Sequence, residues 1–425
     1  MSAPNARLLV VGAGQAGVQL VCGAREEGWT GPITLVGSEA HPPYARPALS
    51  KGFLAGTATM DSEALRAPDF YAEQGIDLVL RERIEDLVLS GGGAGRARSA
   101  SGRTWEFDRL ALATGARPRS LPIEGADLSG VRVLREADDA FALKEHLERV
   151  SELAVIGAGF VGLEVAAAAA AAGIRVTVVE GAAQVMGRAV GAATADLVAA
   201  LHQRAGVRLL TGARPRRLVD DGGGAVCAVE LESGERIEAE LVLVGVGAVP
   251  NDDLARAAGL ETDNGVVVNS RSLASDGHTL AVGDCANLPD PCPVPGPSTR
   301  LRLESVDNAV EQARAAAATL VGADRPYQSV PWFWSDQGGV KLQIAGLAFP
   351  GDDSVVRTAG KPGRQTVLRY RGERLVAAEC VNAPADFLTV RKALVAGRTL
   401  SRDAAADTGR RLKELLDGKP TAVAG

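Results

Sequence analysis

Cysteine is scarce in this chain of 425 residues: Cys22, Cys227, Cys285, Cys292 and Cys380 form no Cys-x-x-Cys or Cys-x4-Cys pair. A redox-active disulfide relay is therefore not expected, and an odd number of thiols without a regular framework suits the reducing cytoplasm. Cys22 lies in a helical stretch and Cys227 and Cys380 in strand-like runs, so each reads as core packing. Cys285 and Cys292 flank a proline-rich loop, where no disulfide is expected. Histidine is scarcer still: His41, His146, His202 and His278 share no ligand spacing, and no metal site is expected. There is no basic excess, since 46 Lys and Arg stand against 52 Asp and Glu for a net charge of −6. That balance argues against nucleic acid, whose binding depends on neutralising phosphates. No long apolar run exists either. The longest bland stretch, Val165 to Ala172, is too short to span a bilayer. No signal peptide is expected, because the first strand begins at Arg7 or Leu8 and leaves no room for one.

What is present is glycine and apolar residues: 50 glycines, 46% hydrophobic and 23% charged residues, an ordinary globular α/β composition of two to four domains. Two glycine-rich fingerprints stand out, Gly12-Ala13-Gly14-Gln15-Ala16-Gly17 and Gly157-Ala158-Gly159-Phe160-Val161-Gly162. Each follows an apolar run, Leu8 to Val11 or Leu153 to Ile156, and each leads through a helical stretch to a second run, Ile33 to Val36 or Val176 to Val179. In such a unit the first two glycines permit a tight turn and close approach to a pyrophosphate. The third lets helix and strand pack closely, and the helix N-terminus faces the anion. One fingerprint is weak evidence. Two in the right context predict a protein that holds two dinucleotides.

Further along, a helix is expected near Ala67 to Gln74, strands at Ile76 to Leu80 and Ile84 to Leu89, and a hairpin or loop over Ser90 to Arg103. Leu110 to Ala113 reads as a buried strand stopped at Thr114-Gly115, and Leu241 to Val244 repeats that exit at Gly245 to Gly247. A glycine-rich loop at Asp221 to Gly224 echoes the one at Gly91 to Gly93, which suggests two related folding units. A strand over Thr279 to Val282 ends at Gly283-Asp284, and a loop holding Pro289, Pro291, Pro293, Pro295 and Pro297 leads to a helix from Ser305 to Leu320. The remainder alternates short strands, among them Thr366 to Tyr370 and Leu375 to Val381, and closes with a helix from Ala385 to Ala396. Trp332 and Trp334, half the tryptophans of the chain, sit together at its start.

The order of the two fingerprints, Ala113-Thr114-Gly115, Val282-Gly283-Asp284-Cys285, Glu304-Ser305-Val306 and Trp332-Phe333-Trp334-Ser335-Asp336-Gln337 resembles the FAD-dependent, NADH-using ferredoxin reductases of the putidaredoxin reductase and aromatic-ring dioxygenase type. The likeness extends over nearly the whole chain. Its most specific part is the tryptophan-rich segment with Lys341 to Gly346, which sets this group apart from disulfide reductases of the same fold. The resemblance implies two Rossmann-like dinucleotide-binding domains and a C-terminal α+β domain: FAD on 1–114 and 243–325, NADH on 115–242, and the α+β domain over 326–425. The activity it implies is hydride transfer from NADH to FAD, followed by single-electron delivery to a two-iron ferredoxin that feeds an oxygenase. Monomer and homodimer both remain open.

By the same resemblance Gly12, Gly14, Gln15, Ala16 and Gly17 cradle the FAD pyrophosphate, with Ala113, Thr114, Gly115, Gly283 and Asp284 beside them. Where the family has Asp for the adenosine ribose this chain has Ser38, and Glu39 follows as the alternative. Arg46-Pro47-Ala48-Leu49-Ser50-Lys51 resembles the family's Arg-Pro-Pro-Leu-Ser-Lys. It implies that Lys51 sits beside the flavin and pairs with Glu164. Glu304, Ser305 and Val306 bring a helix N-terminus to the flavin, Trp334 is the flavin-proximal ring, and Ile84 and Arg135 are weaker carry-overs. For NADH, Gly157, Gly159, Phe160, Val161 and Gly162 form the second cradle, with Arg188 and Gly247 near it. Glu180 ends the following strand, where an acid accepts the ribose hydroxyls and repels a 2′-phosphate, so NADH is expected over NADPH. Gly338-Gly339 stands where the family has an aromatic residue.

An acidic ferredoxin needs a local basic patch on an acidic protein, and Arg300, Arg302 and Arg314 are the candidates. Three rivals share the fold. An NADH oxidase or peroxidase uses a reactive cysteine that the loop from His41 to Lys51 lacks. A reductase of a rubredoxin or nitrile-type pathway differs mainly in partner, and a redox-dependent interaction protein similar to apoptosis-inducing factor turns over slowly.

Overall fold

The computed structural model describes residues 6–292, 296, 300–358 and 362–417, so Pro293, Pro295 and Pro297 of the expected loop lie outside the described residues. The chain divides into two compact units: Met1–Ala45, Met60–Arg117 and Val249–Pro331 in the first, Arg46–Thr59, Pro118–Ala248 and Trp332–Gly425 in the second.

In the first unit the run Leu8–Val11 is buried at every position and lies between two parallel neighbours, Ile33–Val36 and Arg109–Leu112. A strand covered on both faces needs a continuous apolar sequence rather than alternation, which is why the central run Leu8–Val11 is uniformly aliphatic. The five-stranded sheet runs in the order Leu280–Ala281, Arg109–Leu112, Leu8–Val11, Ile33–Val36, Ile76–Val79. On it, the helix Gln15–Glu26 packs against Val306–Leu320 through small residues, and a Cβ on Gly23 would stand only 3.0 Å from that of Ala317. Leu20, Leu35 and Ala313 in this core are fully buried. A leucine so placed contributes about 1.5–3 kcal/mol relative to exposure.

Two expected elements are shorter than the sequence suggested. The helix near Ala67 is one turn, Phe70–Glu73, because Pro68 disfavours helical backbone at the residue before it. The strand expected at Thr279 to Val282 is paired only over Leu280–Ala281, since Thr279 is spent on Asp276 through both its N–H and its hydroxyl. Ser90 to Arg103 holds a whole strand. Ile84–Gly91, Ala94–Ser99 and Thr104–Phe107 form an antiparallel sheet, and Gly91 to Gly93 make its first turn with φ of 89°, 62° and 89°.

The second unit repeats the plan. Its parallel sheet runs Arg208–Thr211, Arg175–Glu180, Glu152–Ile156, Leu241–Val244, Val131–Arg132. A second antiparallel meander, Pro215–Asp220, Val226–Leu231 and Arg236–Glu238, turns at the glycines of the expected echo. The same unit carries a five-stranded antiparallel sheet in the order Trp332–Gln337, Val340–Gly346, Arg374–Val381, Gln365–Arg371, Asp353–Arg357. The helix Pro384–Val395, begun by a proline that needs no N–H partner there, packs on it. Among the described residues no helix is long and apolar enough to cross a membrane, and all five cysteines are free thiols.

Candidate functional site

In a parallel sheet the loops leaving the carboxyl ends of the strands converge, and ligands bind there. In the first unit these loops hold Gly12 to Gly17, Gly37 to Glu39, Ala113 to Gly115 and Gly283-Asp284. Gly12 donates its N–H to Val36 at 2.8 Å, and a Cβ on it would stand 2.1 Å from the Ala113 carbonyl oxygen. A Cβ on Gly17 would stand 1.9 Å from the carbonyl oxygen of Gly12. These two glycines are required by the protein itself. Gly14 is different: no protein atom comes within 4 Å of its would-be Cβ, and its backbone is extended at φ −84°. Its bareness on the open side fits a pyrophosphate lying against the backbone at the N-terminus of the helix begun by Gln15 and Ala16.

The other predicted members gather round this cradle. Gly283, at φ 75°, would put a Cβ 2.8 Å from that of Ala16 and so brings Asp284 alongside. Thr114 exchanges bonds with Asn251, its hydroxyl donating to the Asn251 carbonyl at 2.6 Å and its carbonyl accepting from the side-chain amide at 2.9 Å. Gly115 accepts the Asn251 N–H at 2.9 Å. Asn251 was missed from sequence because it lies far along the chain outside any fingerprint. Ser38 is exposed, whereas the Glu39 carboxylate accepts the Tyr44 hydroxyl at 2.6 Å. Ser305 caps the helix Val306–Leu320 by accepting the Asn308 N–H at 3.1 Å, which leaves Val306 as the first helical residue. Glu304 is exposed and pairs with Arg302. Ile84 is buried at the start of the meander, in the core.

The expected docking arginines separate. Arg300 donates to the carbonyls of Val268 and Asn287, and Arg302, with a side chain 11% exposed, is held by Glu304 and the Asp284 carbonyl. Both serve the interior of their unit, as a guanidinium does when backbone acceptors surround it, so neither offers the free charge expected of it. Arg314 remains on the surface, 54% exposed and paired with Glu311 at 2.7 Å.

The second cradle follows the same rule as the first. A Cβ on Gly157 would meet the Gly245 carbonyl oxygen at 2.5 Å and one on Gly162 the Gly157 carbonyl oxygen at 2.4 Å, while Gly159 meets nothing nearer than 4.0 Å. Phe160 opens the helix Phe160–Ala171 and Val161 is exposed on it. Glu180 ends the neighbouring strand and accepts the N–H groups of Ala158 at 2.7 Å and Ala182 at 2.8 Å. Arg188 reaches toward the Gly247 turn, its guanidinium 3.2 Å from a Cβ there. Arg214, which the sequence did not single out, lies with its Cγ 3.7 Å from a Cβ on Gly181.

Glu164, on the same helix, is only 4% exposed. Its carboxylate accepts from Lys51 Nζ at 2.8 Å, the Ser50 hydroxyl at 2.5 Å, the Ser335 hydroxyl at 2.5 Å and the Asp336 N–H at 3.3 Å. Four donors on a buried carboxylate are what a charge needs to remain inside a protein. Sequence pointed to Lys51 and Glu164; Ser50 and Ser335 stand inside the motifs it singled out, but their bonds to Glu164 did not show because a hydroxyl carries no pattern of its own. Arg46 donates to the Arg135 carbonyl at 2.8 Å, and the Arg135 N–H is held by Asp139. Trp334 stacks on Trp332 at 5.3 Å between ring centroids, and Phe333 packs on Phe160 at 4.5 Å.

Residues 6–313 match the pyridine nucleotide-disulphide oxidoreductase family and residues 332–416 the reductase C-terminal family. The chain is 42% identical to rhodocoxin reductase of Rhodococcus erythropolis, over 96% of this chain and 93% of the relative. It is 39% identical to a rubredoxin-NAD(+) reductase of Pseudomonas putida, over 89% and 96%. The solved covalent putidaredoxin reductase–putidaredoxin complex aligns with a TM-score of 0.91 and 36% identity, covering 98% of this chain and all of that one. With two glycine cradles of one design and a C-terminal sheet of the reductase type, the chain belongs to the FAD-dependent, NAD(H)-using ferredoxin reductases.

Proposed function

We propose that this flavoprotein passes electrons from NADH, one at a time, to a two-iron ferredoxin that feeds an oxygenase of the haem-thiolate or Rieske type. The observation that carries the two-cofactor core of this reading is the twin cradle: in both fingerprints the middle glycine is crowded by nothing in the protein, while its neighbours are fixed by their own backbone. The likeness to ferredoxin reductases supports the choice of acceptor. FAD, when bound, supplies the conversion between a two-electron hydride donor and one-electron acceptors. The chain's own part is holding and tuning. Gly12, Gly14 and Gly17, with Asp284 and the helix beginning at Val306, hold FAD on 1–114 and 243–325. Gly157, Gly159, Gly162 and Glu180 hold NADH on 115–242, Glu180 by accepting ribose hydroxyls. Lys51, anchored by Glu164, supplies a fixed positive charge that favours the reduced cofactor. Trp334 and the 326–425 domain form part of the partner-facing surface, with Arg314 as the docking charge.

The test is anaerobic bleaching of the yellow protein by NADH and NADPH, followed by steady-state reduction of a panel of two-iron ferredoxins and rubredoxins. The reading requires bleaching far faster with NADH, and faster reduction of a two-iron ferredoxin than of any rubredoxin. Oxygen-dependent NADH consumption that ferredoxin does not accelerate would instead identify an oxidase.

A further inference from the structure

His202 lies on the helix Ala192–Arg204, 2% exposed, and belongs to no fingerprint. The helix is fastened to the C-terminal sheet at its start, where the N–H of Gly191 is accepted by Glu379, itself bonded to Arg369 at 2.7 Å, and the Ala193 carbonyl accepts from Gln365 at 3.0 Å. Near its end the fastening is polar and buried: His202 Nε2 stands 2.8 Å from Oε1 of Gln337, which is also 2% exposed.

The direction of the bonds beyond that point is fixed by what each group has left to give. Gln337 Nε2 donates to the Ser335 hydroxyl oxygen at 2.7 Å and to the Phe160 carbonyl at 3.3 Å, so its oxygen is the acceptor and His202 Nε2 must carry the hydrogen. Ser335, already accepting from Gln337, turns its O–H to Glu164 Oε1 at 2.5 Å. Glu164 in turn holds Lys51 at 2.8 Å. Burial lowers the His202 pKa and favours its neutral form, and Nδ1 is buried with no partner among the described residues, as it would be if Nε2 alone bore the proton. One line of donors therefore runs from His202 through Gln337 and Ser335 to one carboxylate.

We propose that His202 is a positioning residue for the Lys51–Glu164 pair, acting through Gln337 and Ser335. The inference rests on the reading that this pair serves the flavin. Without the imidazole N–H the buried Gln337 oxygen loses its donor, and the amide is held only by the two bonds its nitrogen gives. An amide that shifts to find another donor carries Ser335 with it, weakens the hydroxyl bond to Glu164, and leaves the lysine on a carboxylate that can turn. Small displacements of a charged group at a reacting centre are costly, so a drop of about tenfold in turnover is expected.

The experiment compares His202→Phe, His202→Gln, Ser335→Ala and Glu164→Gln by anaerobic stopped-flow reduction of the holoenzyme, alone and in double variants. His202→Phe and Ser335→Ala should each lower the limiting rate of flavin reduction about tenfold, with the half-saturating NADH concentration unchanged. His202→Gln, whose amide nitrogen takes the place of Nε2, should restore it. Adding His202→Phe to Glu164→Gln should cost nothing further, because both act on one group. Equal loss in His202→Phe and His202→Gln would overturn the proposal, as would losses that add in the double variant. Ser335→Ala, a smaller change, tests the relay even if the bulky ring at position 202 prevents folding. A normal rate in Glu164→Gln alone would remove the pair from turnover, and that result is distinct from failure of the relay.

Discussion

Glu180 accepts the N–H of Ala158 at 2.7 Å, so the acid that ends one strand is bonded to the turn that leaves its neighbour. Its second oxygen takes the Ala182 N–H, and the carboxylate is thereby held in one place before any nucleotide arrives. A fixed negative charge there favours ribose hydroxyls over a 2′-phosphate. Replacing Glu180 by Arg should lower kcat/KM for NADH by about 10- to 100-fold, the worth of hydrogen bonds to a charged group, and raise that for NADPH. Arg214, close to Gly181, would add to the second effect. Proportional loss with both nucleotides would remove Glu180 from the ribose.

The two kinds of glycine in the first cradle make opposite demands. Gly17→Ala drives a methyl into the Gly12 carbonyl, a clash with backbone that no rotamer relieves, and should lower the melting temperature even of flavin-free protein. Gly14→Ala meets no protein atom, so the chain should fold with near-normal stability and yet bind FAD poorly. Flavin content and calorimetry on both variants decide it. Full flavin occupancy in Gly14→Ala would mean the pyrophosphate lies elsewhere.

Much of this was legible in the sequence because it depends on local rules. Ile33–Val36 and Leu241–Val244 are largely aliphatic runs that stop at a glycine, and they form strands over those bounds. The glycines at 91–93 and 222–224 marked a turn in each meander, but the meanders themselves, with the strand Ala94–Ser99, did not show. Hidden were the partners contributed from far along the chain: Ser335 on Glu164, Asn251 on Thr114 and Gln337 on His202. A hydroxyl or amide has no periodicity, and its role is set only when tertiary folding brings it to a group in need of a donor. Arg300 and Arg302 show the converse. As sequence they are surface charges, but neighbouring carbonyls draw them inward.

Arg314 keeps its charge at the surface, where electrostatic docking would use it. Arg314→Glu also sets two like charges side by side with Glu311. It should slow ferredoxin reduction about tenfold at low salt, with the difference shrinking as ionic strength rises and the Debye length contracts. Ferricyanide reduction, which needs no protein docking, should be unchanged. Equal loss with both acceptors would discredit a docking role.

Burial raises the thiol pKa of Cys22, Cys285 and Cys380, so the reactive thiolate is disfavoured at all three. Treating the holoenzyme with iodoacetamide in the presence of NADH should therefore leave flavin reduction and ferredoxin turnover intact. Inactivation in proportion to a single labelled cysteine would reinstate a sulfur relay.

His202 also leaves a mark on stability. Burial lowers its pKa below the ordinary 6.5, so the folded chain takes up this proton at lower pH than the unfolded chain does. Its contribution is therefore fully present above pH 6.5 and is lost as pH falls, with a limiting slope of about 1.4 kcal/mol per pH unit between the two pKa values. His202→Gln keeps the bond to Gln337 and cannot be protonated. Urea unfolding from pH 8 to 5 should show the wild-type protein losing stability faster than the variant, and only below about pH 6.5. Parallel curves across that range would mean that His202 accepts its proton as readily in the folded protein as in the unfolded chain.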